Sequence, residues 1–193
     1  MFDLPIAITI GDKQFPIRNK GDYRMVLDCF SALNDIELDE KSRAIACLLI
    51  FYDGMKSASD LDKLGDLETA IKEMFNFFEM NQQAVGAKSN HKLVDWEKDE
   101  QLIVSAINNV AKTEVRSLPY LHWWTFMGYY SAIGECPLST IIGIRDKIAK
   151  GKKLEKHEKE YRKSNPQYFN WDFRTEEEKQ ADKLVAELWN KGN

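Results

Sequence analysis

The helical character of the chain is clearest in residues 22–34, which read DYRMVLDCFSALN. The apolar residues of this stretch recur at spacings of three and four: Tyr23, Val26, Leu27, Phe30 and Leu33. Such spacing places them on one face of an α-helix, and Asp22 stands where an N-cap is expected. The stretch therefore predicts an amphipathic helix with one buried face.

Two more helices are expected downstream of this stretch. Asp39 precedes the second, which carries an apolar run over residues 45–52 and has its stop at Gly54. The third extends from about Asp66 to Phe78. Its apolar stripe contains Leu67, Ala70, Ile71, Met74, Phe75 and Phe78.

The residues before the first helix predict a β-hairpin. Ile6, Ile8 and Ile10 alternate with other residues, and Gly11 follows them at the first central position of a two-residue type II′ turn. Pro16 lacks an N–H to donate, so the second strand is expected at an edge. A hairpin that packs on its own helices is favoured over an edge that pairs with a partner.

A polar stretch from Met80 to Asp95 breaks the helical pattern and is typical of a linker or long loop. We expect a hairpin plus helices over residues 1–80, a linker or mobile loop over residues 81–95 and a C-terminal helical region over residues 96–193. A single domain with a mobile middle loop is the alternative that the sequence leaves open.

The second half is also predicted to be helical. Ser117, with Pro119 just inside, opens an aromatic helix that extends to Ile133. Pro137 begins another helix, and a capping box at Thr175 begins a terminal one. The predicted fold class is mainly α: a helical bundle with a small N-terminal β-hairpin.

Eleven apolar residues are expected in the core of these helices. They are Val26, Leu27, Phe30, Ile45, Leu48, Leu49, Phe75, Ile103, Ile107, Trp124 and Ile142.

Composition restricts the class of protein. The 193 residues are 44% hydrophobic and 30% charged, which is typical of a globular protein. The formal net charge of -4 argues against a general nucleic-acid binder. Three cysteines without metal or redox spacing indicate free thiols in a reducing compartment. The first residues lack the features of a signal peptide, so a cytosolic protein is expected.

Residues that could carry catalysis are sparse. His91, His122 and His157 are far apart and do not have the spacing of metal ligands. A nucleophile elbow, a phosphate loop and a pair of catalytic carboxylates are not found in the sequence. His122 is most simply a hydrogen-bonded core residue. We therefore assign no catalytic, cofactor-binding or metal residue, and we expect a protein that is not an enzyme.

Two features could carry recognition. The aromatic helix around Trp123 and Trp124 has large residues on all faces, which favours a core helix over an interface. The stretch from Arg145 to Lys163 has nine basic and four acidic residues. Interleaved Glu and Lys favour a solvated, ion-paired helix, with a site for an acidic partner or nucleic acid as the alternative.

Three blocks of the second half together carry a resemblance. They read YLHWWTF at residues 120–126, YYSAIGE at residues 129–135 and IRDKIAKGKKLEK at residues 144–156. With the N-terminal hairpin and helices, they closely resemble the bacteriophage Gp-fifteen family of tailed phages and prophages of Gram-positive bacteria. The block at residues 121–126 is the most specific part.

The resemblance implies a role in phage tail assembly. Genes of the family lie between those of the major tail protein and the tape-measure protein, which is the position of tail assembly chaperones. It implies a non-enzymatic chaperone that binds the tape-measure protein and helps tail-tube assembly, with the tail-tube protein as a second partner. Residence in the host bacterial cytoplasm and absence from the mature virion follow from that role.

Alternatives to the chaperone remain open. A structural tail-completion or connector protein of the virion is the first, and a nucleic-acid-binding regulator is a less favoured second. A homo-oligomer is also compatible with the sequence, whereas a membrane partner and a cofactor are not expected.

Partner contacts are predicted in an aromatic patch, on the terminal helix and in the basic stretch. The residues are Tyr168, Phe169, Trp171, Phe173, Leu184, Leu188, Trp189, Lys152, Lys153 and Lys156.

Overall fold

The computed structural model describes residues 3–81 and 93–170, which are mainly α-helical with one antiparallel hairpin near the start. The strands are β1 (Ala7–Ile10) and β2 (Lys13–Pro16). The helices are α1 (Tyr23–Asn34), α2 (Glu40–Phe51), α3 (Leu67–Phe78), α4 (Glu100–Ala111), α5 (Trp123–Ser131), α6 (Pro137–Ala149) and α7 (Lys156–Ser164). The predicted fold class is confirmed.

The described residues belong to two compact units. The first contains residues 3–81 and 107–132, and the second contains residues 93–106 and 133–170. The predicted linker falls largely on residues 82–92, which lie outside the described part of the chain. No helix within residues 3–81 and 93–170 is long and apolar enough to cross a membrane.

The N-terminal hairpin has the predicted turn. Ile10 pairs with Lys13, which leaves Gly11 and Asp12 as the two-residue loop. Gly11 has φ +58°, a value that glycine adopts without the steric cost that a Cβ would add. Strand β1 packs on α3, and the carbonyl of Pro16 accepts a hydrogen bond from the backbone N–H of Asp53 at 2.9 Å. The hairpin therefore packs on its own helices, as predicted.

The predicted N-cap Asp22 is confirmed, and Asp39 and Asp66, where the next two helices are expected to begin, cap those helices in the same way. Each carboxylate accepts a hydrogen bond from a backbone N–H in the first helical turn, at 3.0 Å for Asp22, 2.7 Å for Asp39 and 3.0 Å for Asp66. These bonds satisfy N–H groups that have no partner inside the helix. Helix α6 also begins at Pro137, as the sequence predicts.

The aromatic helix begins later than predicted. Ser117 ends a short 3-10 segment, and α5 begins at Trp123 with His122 as its N-cap. Residues 118–121 are not part of α5, because Leu121 bonds to the start of α1. The N–H of Leu121 donates to the Asp22 carboxylate at 2.9 Å, and its carbonyl accepts from the N–H of Tyr23 at 2.9 Å. These bonds between distant parts of the chain outweigh the local helix signal at Ser117.

The core of the first unit contains many aromatic side chains, and the indole N–H groups of its two tryptophans have hydrogen-bond acceptors. Trp123 is 1% exposed, and its indole N–H donates to the carbonyl of Phe78 at 2.9 Å. The indole N–H of the half-buried Trp124 donates to the carbonyl of Phe77 at 2.9 Å. Both carbonyls are in the last turn of α3, where a helix leaves its own acceptors unpaired. The core interpretation of Trp123 is confirmed.

The predicted core residues divide into three groups. Val26, Leu48, Ile103 and Ile107 are buried, whereas Leu27, Phe30, Ile45, Leu49, Trp124 and Ile142 are half-buried. Phe75 is 40% exposed, so its prediction as a core residue is wrong. Phe77 is buried in its place, because its ring packs against the rings of Phe51 and His122. The contacts of α3 with the rest of the unit decide which face is buried.

His122 is a satisfied core histidine, as the sequence predicts. It is 1% exposed, its Nδ1 accepts from the N–H of Trp124 at 3.0 Å, and its Nε2 lies 3.0 Å from the carbonyl of Pro5. This network assigns the neutral tautomer with its proton on Nε2. Burial lowers the pKa of His122, against opposing contributions from the Pro5 carbonyl and the Asp22 carboxylate.

A pH dependence of stability follows from this environment. Because the pKa of His122 is lower in the folded protein than in the unfolded chain, its contribution to stability is complete above about pH 6.5. The contribution is lost as the pH falls from there through the folded pKa. We expect His122→Asn, which keeps a capping acceptor but does not titrate, to have a flatter dependence of urea-unfolding free energy between about pH 7 and 5. Equal slopes for the variant and the wild-type protein would contradict this prediction.

Candidate functional site

Half of the predicted partner residues lie within the described part of the chain. Lys152, Lys153 and Lys156 are exposed at the junction of α6 and α7. Tyr168 is half-buried, and Phe169 is only 5% exposed. The remaining residues, Trp171, Phe173, Leu184, Leu188 and Trp189, lie outside the described part of the chain.

Phe169 belongs to the apolar core of the second unit. It packs with Ile141 and Ile144 of α6 and with Leu154, the one buried residue between α6 and α7. Half-buried side chains, among them Ile148 and Tyr168, surround this cluster. The position of Phe169 thus depends on α6 and on the segment that leads into α7.

Arg145 joins three segments of the second unit. It is 0% exposed and forms a bidentate ion pair with Asp99, with N–O distances of 2.5 and 2.9 Å. It also donates to the carbonyl of Leu93 at 2.9 Å and twice to the carbonyl of Tyr168, at 3.0 and 2.7 Å. These contacts use all five N–H groups of the guanidinium. The backbone beside Phe169 is thereby held in place.

The basic stretch is not one uniform surface. Arg145 is buried, Lys147 pairs with Glu158 at 2.6 Å, and Lys150 pairs with Asp146 at 2.6 Å. The prediction of an ion-paired helix is therefore confirmed for the first part of the stretch. Arg145 itself adds no exposed charge to the alternative electrostatic site, because its charge is buried against Asp99.

The second part of the stretch lines a cleft of about 530 Å³. Its rim carries four cations: Lys153, Lys159, Arg162 and Lys163. Its floor and walls are formed by Leu154, Pro166, Phe169 and Asn170. We call this feature the cationic cleft; it brings together two of the predicted partner residues, Lys153 and Phe169.

The rim cations have no counter-charge from the described residues. Within residues 3–81 and 93–170, no carboxylate lines the cleft and none forms an ion pair with these four side chains. Of the two acidic residues of α7, Glu158 accepts from Lys147 and from the backbone N–H of Glu155, and Glu160 is exposed and lies outside the cleft lining. The cleft is therefore positive around an apolar floor.

Residue types that catalysis would use have structural roles here. Cys29 and Cys47 are buried, and the contact with Cys47 together with burial raises the pKa of Cys29. The thiol of Cys136 caps α6 by accepting from the N–H of Ser139 at 3.5 Å. Within the described residues, no group of three or more His, Cys, Asp and Glu side chains could hold a metal ion.

A family model described as Bacteriophage Gp15 protein matches residues 1–169. The chain belongs to this family. It is the family that the sequence resembles, so that resemblance is confirmed, and the chain is a phage protein. Comparisons with the curated proteins and with the solved structures return no match.

Sequence reasoning missed the role of Arg145 in this Gp15-family chain. A signal was present: Arg145 follows Ile141 by four residues and precedes Ile148 by three, so it stands on the apolar stripe of α6. A charged residue on a buried face requires a partner. The partner, Asp99, is 46 residues away in the sequence and could not be identified from local spacing.

Removing the Arg145 side chain is expected to destabilise the Gp15-family protein strongly. Arg145→Met leaves the Asp99 carboxylate buried without a counter-charge, which costs about 3–5 kcal/mol of unfolding free energy. Arg162→Met removes the same atoms from an exposed position and should change stability by less than about 0.5 kcal/mol. Urea unfolding measures both variants, and similar losses for the two would contradict the structural role of Arg145.

Proposed function

We propose that this Gp15-family protein is a non-enzymatic tail assembly chaperone that binds the tape-measure protein. The observation that carries the proposal is membership of the family across residues 1–169. The resemblance implies that such genes lie next to the tape-measure gene. The protein would act in the host bacterial cytoplasm and leave the tail before the virion is complete.

The chemistry of the partner explains why a chaperone is needed. A tape-measure protein, as the resemblance implies, is long, helical and apolar. Its apolar stripes would aggregate before the tail tube forms around it, unless another protein covered them. Amphipathic helices of this kind are commonly bound in grooves that offer an apolar floor and a charged edge.

The cationic cleft supports this proposal. Leu154 and Phe169 give it an apolar floor, and its lining adds four cations that no carboxylate of the described residues pairs with. The three cysteines and His122 have packing or capping roles, which favours a binding protein over an enzyme. Trp171, Phe173, Leu184, Leu188 and Trp189 follow the cleft in the sequence and remain predicted partner contacts.

Co-expression with the tape-measure protein encoded downstream tests the proposal. We expect affinity capture of this chain to recover the tape-measure protein, which should stay soluble only when the two are expressed together. Mass spectrometry of the captured material identifies both chains. An insoluble tape-measure protein and no recovery of it would overturn the proposed function.

A shortened chain tests the contribution of the predicted C-terminal contacts. A chain that ends at Asn165 would lose Phe169 and the Tyr168 carbonyl that Arg145 binds, so it would confuse unfolding with lost binding. A chain that ends at Asn170 keeps both. We expect it to recover at most about a tenth of the tape-measure protein, and urea unfolding of the shortened chain checks that its fold is kept. Full recovery would exclude residues 171–193 from the contact.

A further inference from the structure

We propose that the cationic cleft docks an acidic amphipathic peptide segment of a protein partner. Carboxylates of the segment would contact the rim cations, and an apolar side chain between them would contact the floor. The inference rests on the proposed function, because it specifies the chemistry of the tape-measure segment that this surface would bind.

The floor of the cleft explains why the bound segment should carry an apolar side chain. Leu154 and Phe169 are 9% and 5% exposed, and the small area that they still expose lines the cleft together with Pro166. A volume of about 530 Å³ is within the range of sites that hold a small ligand. It admits a few side chains of a bound segment rather than a whole folded domain.

The cations of the rim explain why the bound segment should be acidic. Lys159, Arg162 and Lys163 have relative positions i, i+3 and i+4 on α7, so they lie on one face of the helix. Lys153 lines the cleft from the segment before the helix. Like charges at these spacings repel one another, and a carboxylate bound among them lowers that repulsion.

The nearby carboxylates among the described residues do not supply this counter-charge. Glu158 is on α7 itself, yet its two oxygens accept from Lys147 and from the backbone N–H of Glu155. Asp99 is 1% exposed and pairs with Arg145. Both carboxylates have their own cation and lie outside the cleft lining. Glu155 and Glu160 are exposed, also lie outside the lining, and form no ion pair with a rim cation.

A peptide fits these observations better than a nucleic acid does. The whole chain has a formal net charge of -4, which repels a polyanion at long range. Its four rim cations surround a buried apolar floor, whereas binding to a phosphate backbone requires only a charged surface. An acidic peptide with apolar residues uses both the rim and the floor.

Fluorescence anisotropy with the full-length protein tests the inference. The probe is a short labelled helical peptide with Glu and Leu at helical spacing, and the matched probe has Gln in place of every Glu. A single-stranded oligonucleotide and a labelled peptide of residues 171–193 represent the other possible occupants. We expect the Glu peptide to bind at least about tenfold more tightly than each of the other three probes.

Two double variants locate the binding. Lys159→Gln with Lys163→Gln removes two positive charges from the cleft rim, and Lys41→Gln with Lys72→Gln removes two exposed positive charges from the first unit. We expect the first pair to weaken binding of the Glu peptide about tenfold and the second pair less than about twofold. Circular dichroism shows whether both variants keep the helical content of the wild-type protein.

Several results would overturn the inference. Equal weakening by the two pairs would indicate diffuse electrostatic attraction, and equal binding of the Gln peptide would remove the role of the carboxylates. Tighter binding of the oligonucleotide would assign the cleft to nucleic acid. Tighter binding of the peptide of residues 171–193, if the Lys159 and Lys163 variant abolishes it, would assign the cleft to the chain's own terminus.

Capture of the tape-measure protein separates this inference from the proposed function. Reduced capture by the Lys159 and Lys163 variant, with normal capture by the Lys41 and Lys72 variant, supports both. Wild-type capture that neither variant reduces overturns the cleft assignment and leaves the proposed function in place. A wild-type protein that captures nothing overturns the proposed function, and the Glu peptide then decides the cleft on its own.

Discussion

The buried ion pair between Arg145 and Asp99 is the constraint on which the second unit depends. A charge with 0% exposure is costly unless every donor finds an acceptor, and here all five guanidinium N–H groups do. The acceptors come from residues near Leu93, from the start of α4 and from Tyr168. The same contacts therefore position Phe169, the residue after Tyr168, at the floor of the cationic cleft. The buried charge of Arg145 therefore helps to position the apolar floor that the exposed rim cations surround.

Helix starts could be predicted from the sequence wherever local chemistry decides them. Asp22, Asp39 and Asp66 cap their helices because a short carboxylate needs only the N–H groups two or three residues ahead. Ser117 fails as a helix start, and Phe75 fails as a core residue, because contacts between distant segments decide both cases. Leu121 pairs with Asp22 and Tyr23, and the ring contacts of Phe77 select the buried face of α3. Local periodicity carries no information on such contacts.

The candidate site was predictable only in its composition. The excess of lysine and arginine after Arg145 leaves an electrostatic surface open as the alternative to an ion-paired helix, and Lys153 and Phe169 are both predicted partner contacts. The sequence could not separate the paired cations from the others, since Asp99 is 46 residues from Arg145 and Glu158 is 11 residues from Lys147. Nor could the sequence show that Leu154 and Pro166 line the same cleft. The fold removes Arg145, Lys147 and Lys150 from the surface charge that a partner could use, which leaves a smaller and better defined site.

Family membership shows a phage protein, and the proposed function is that it binds a tail component during assembly and then departs. The most direct measurement of this central claim is quantitative mass spectrometry of purified mature particles, with the tail-tube protein as the internal reference. A chaperone of this kind should be abundant in lysates that contain unassembled tape-measure protein and absent from the particles. A constant number of copies per particle would contradict the proposed role and would make the protein a structural tail-completion or connector subunit.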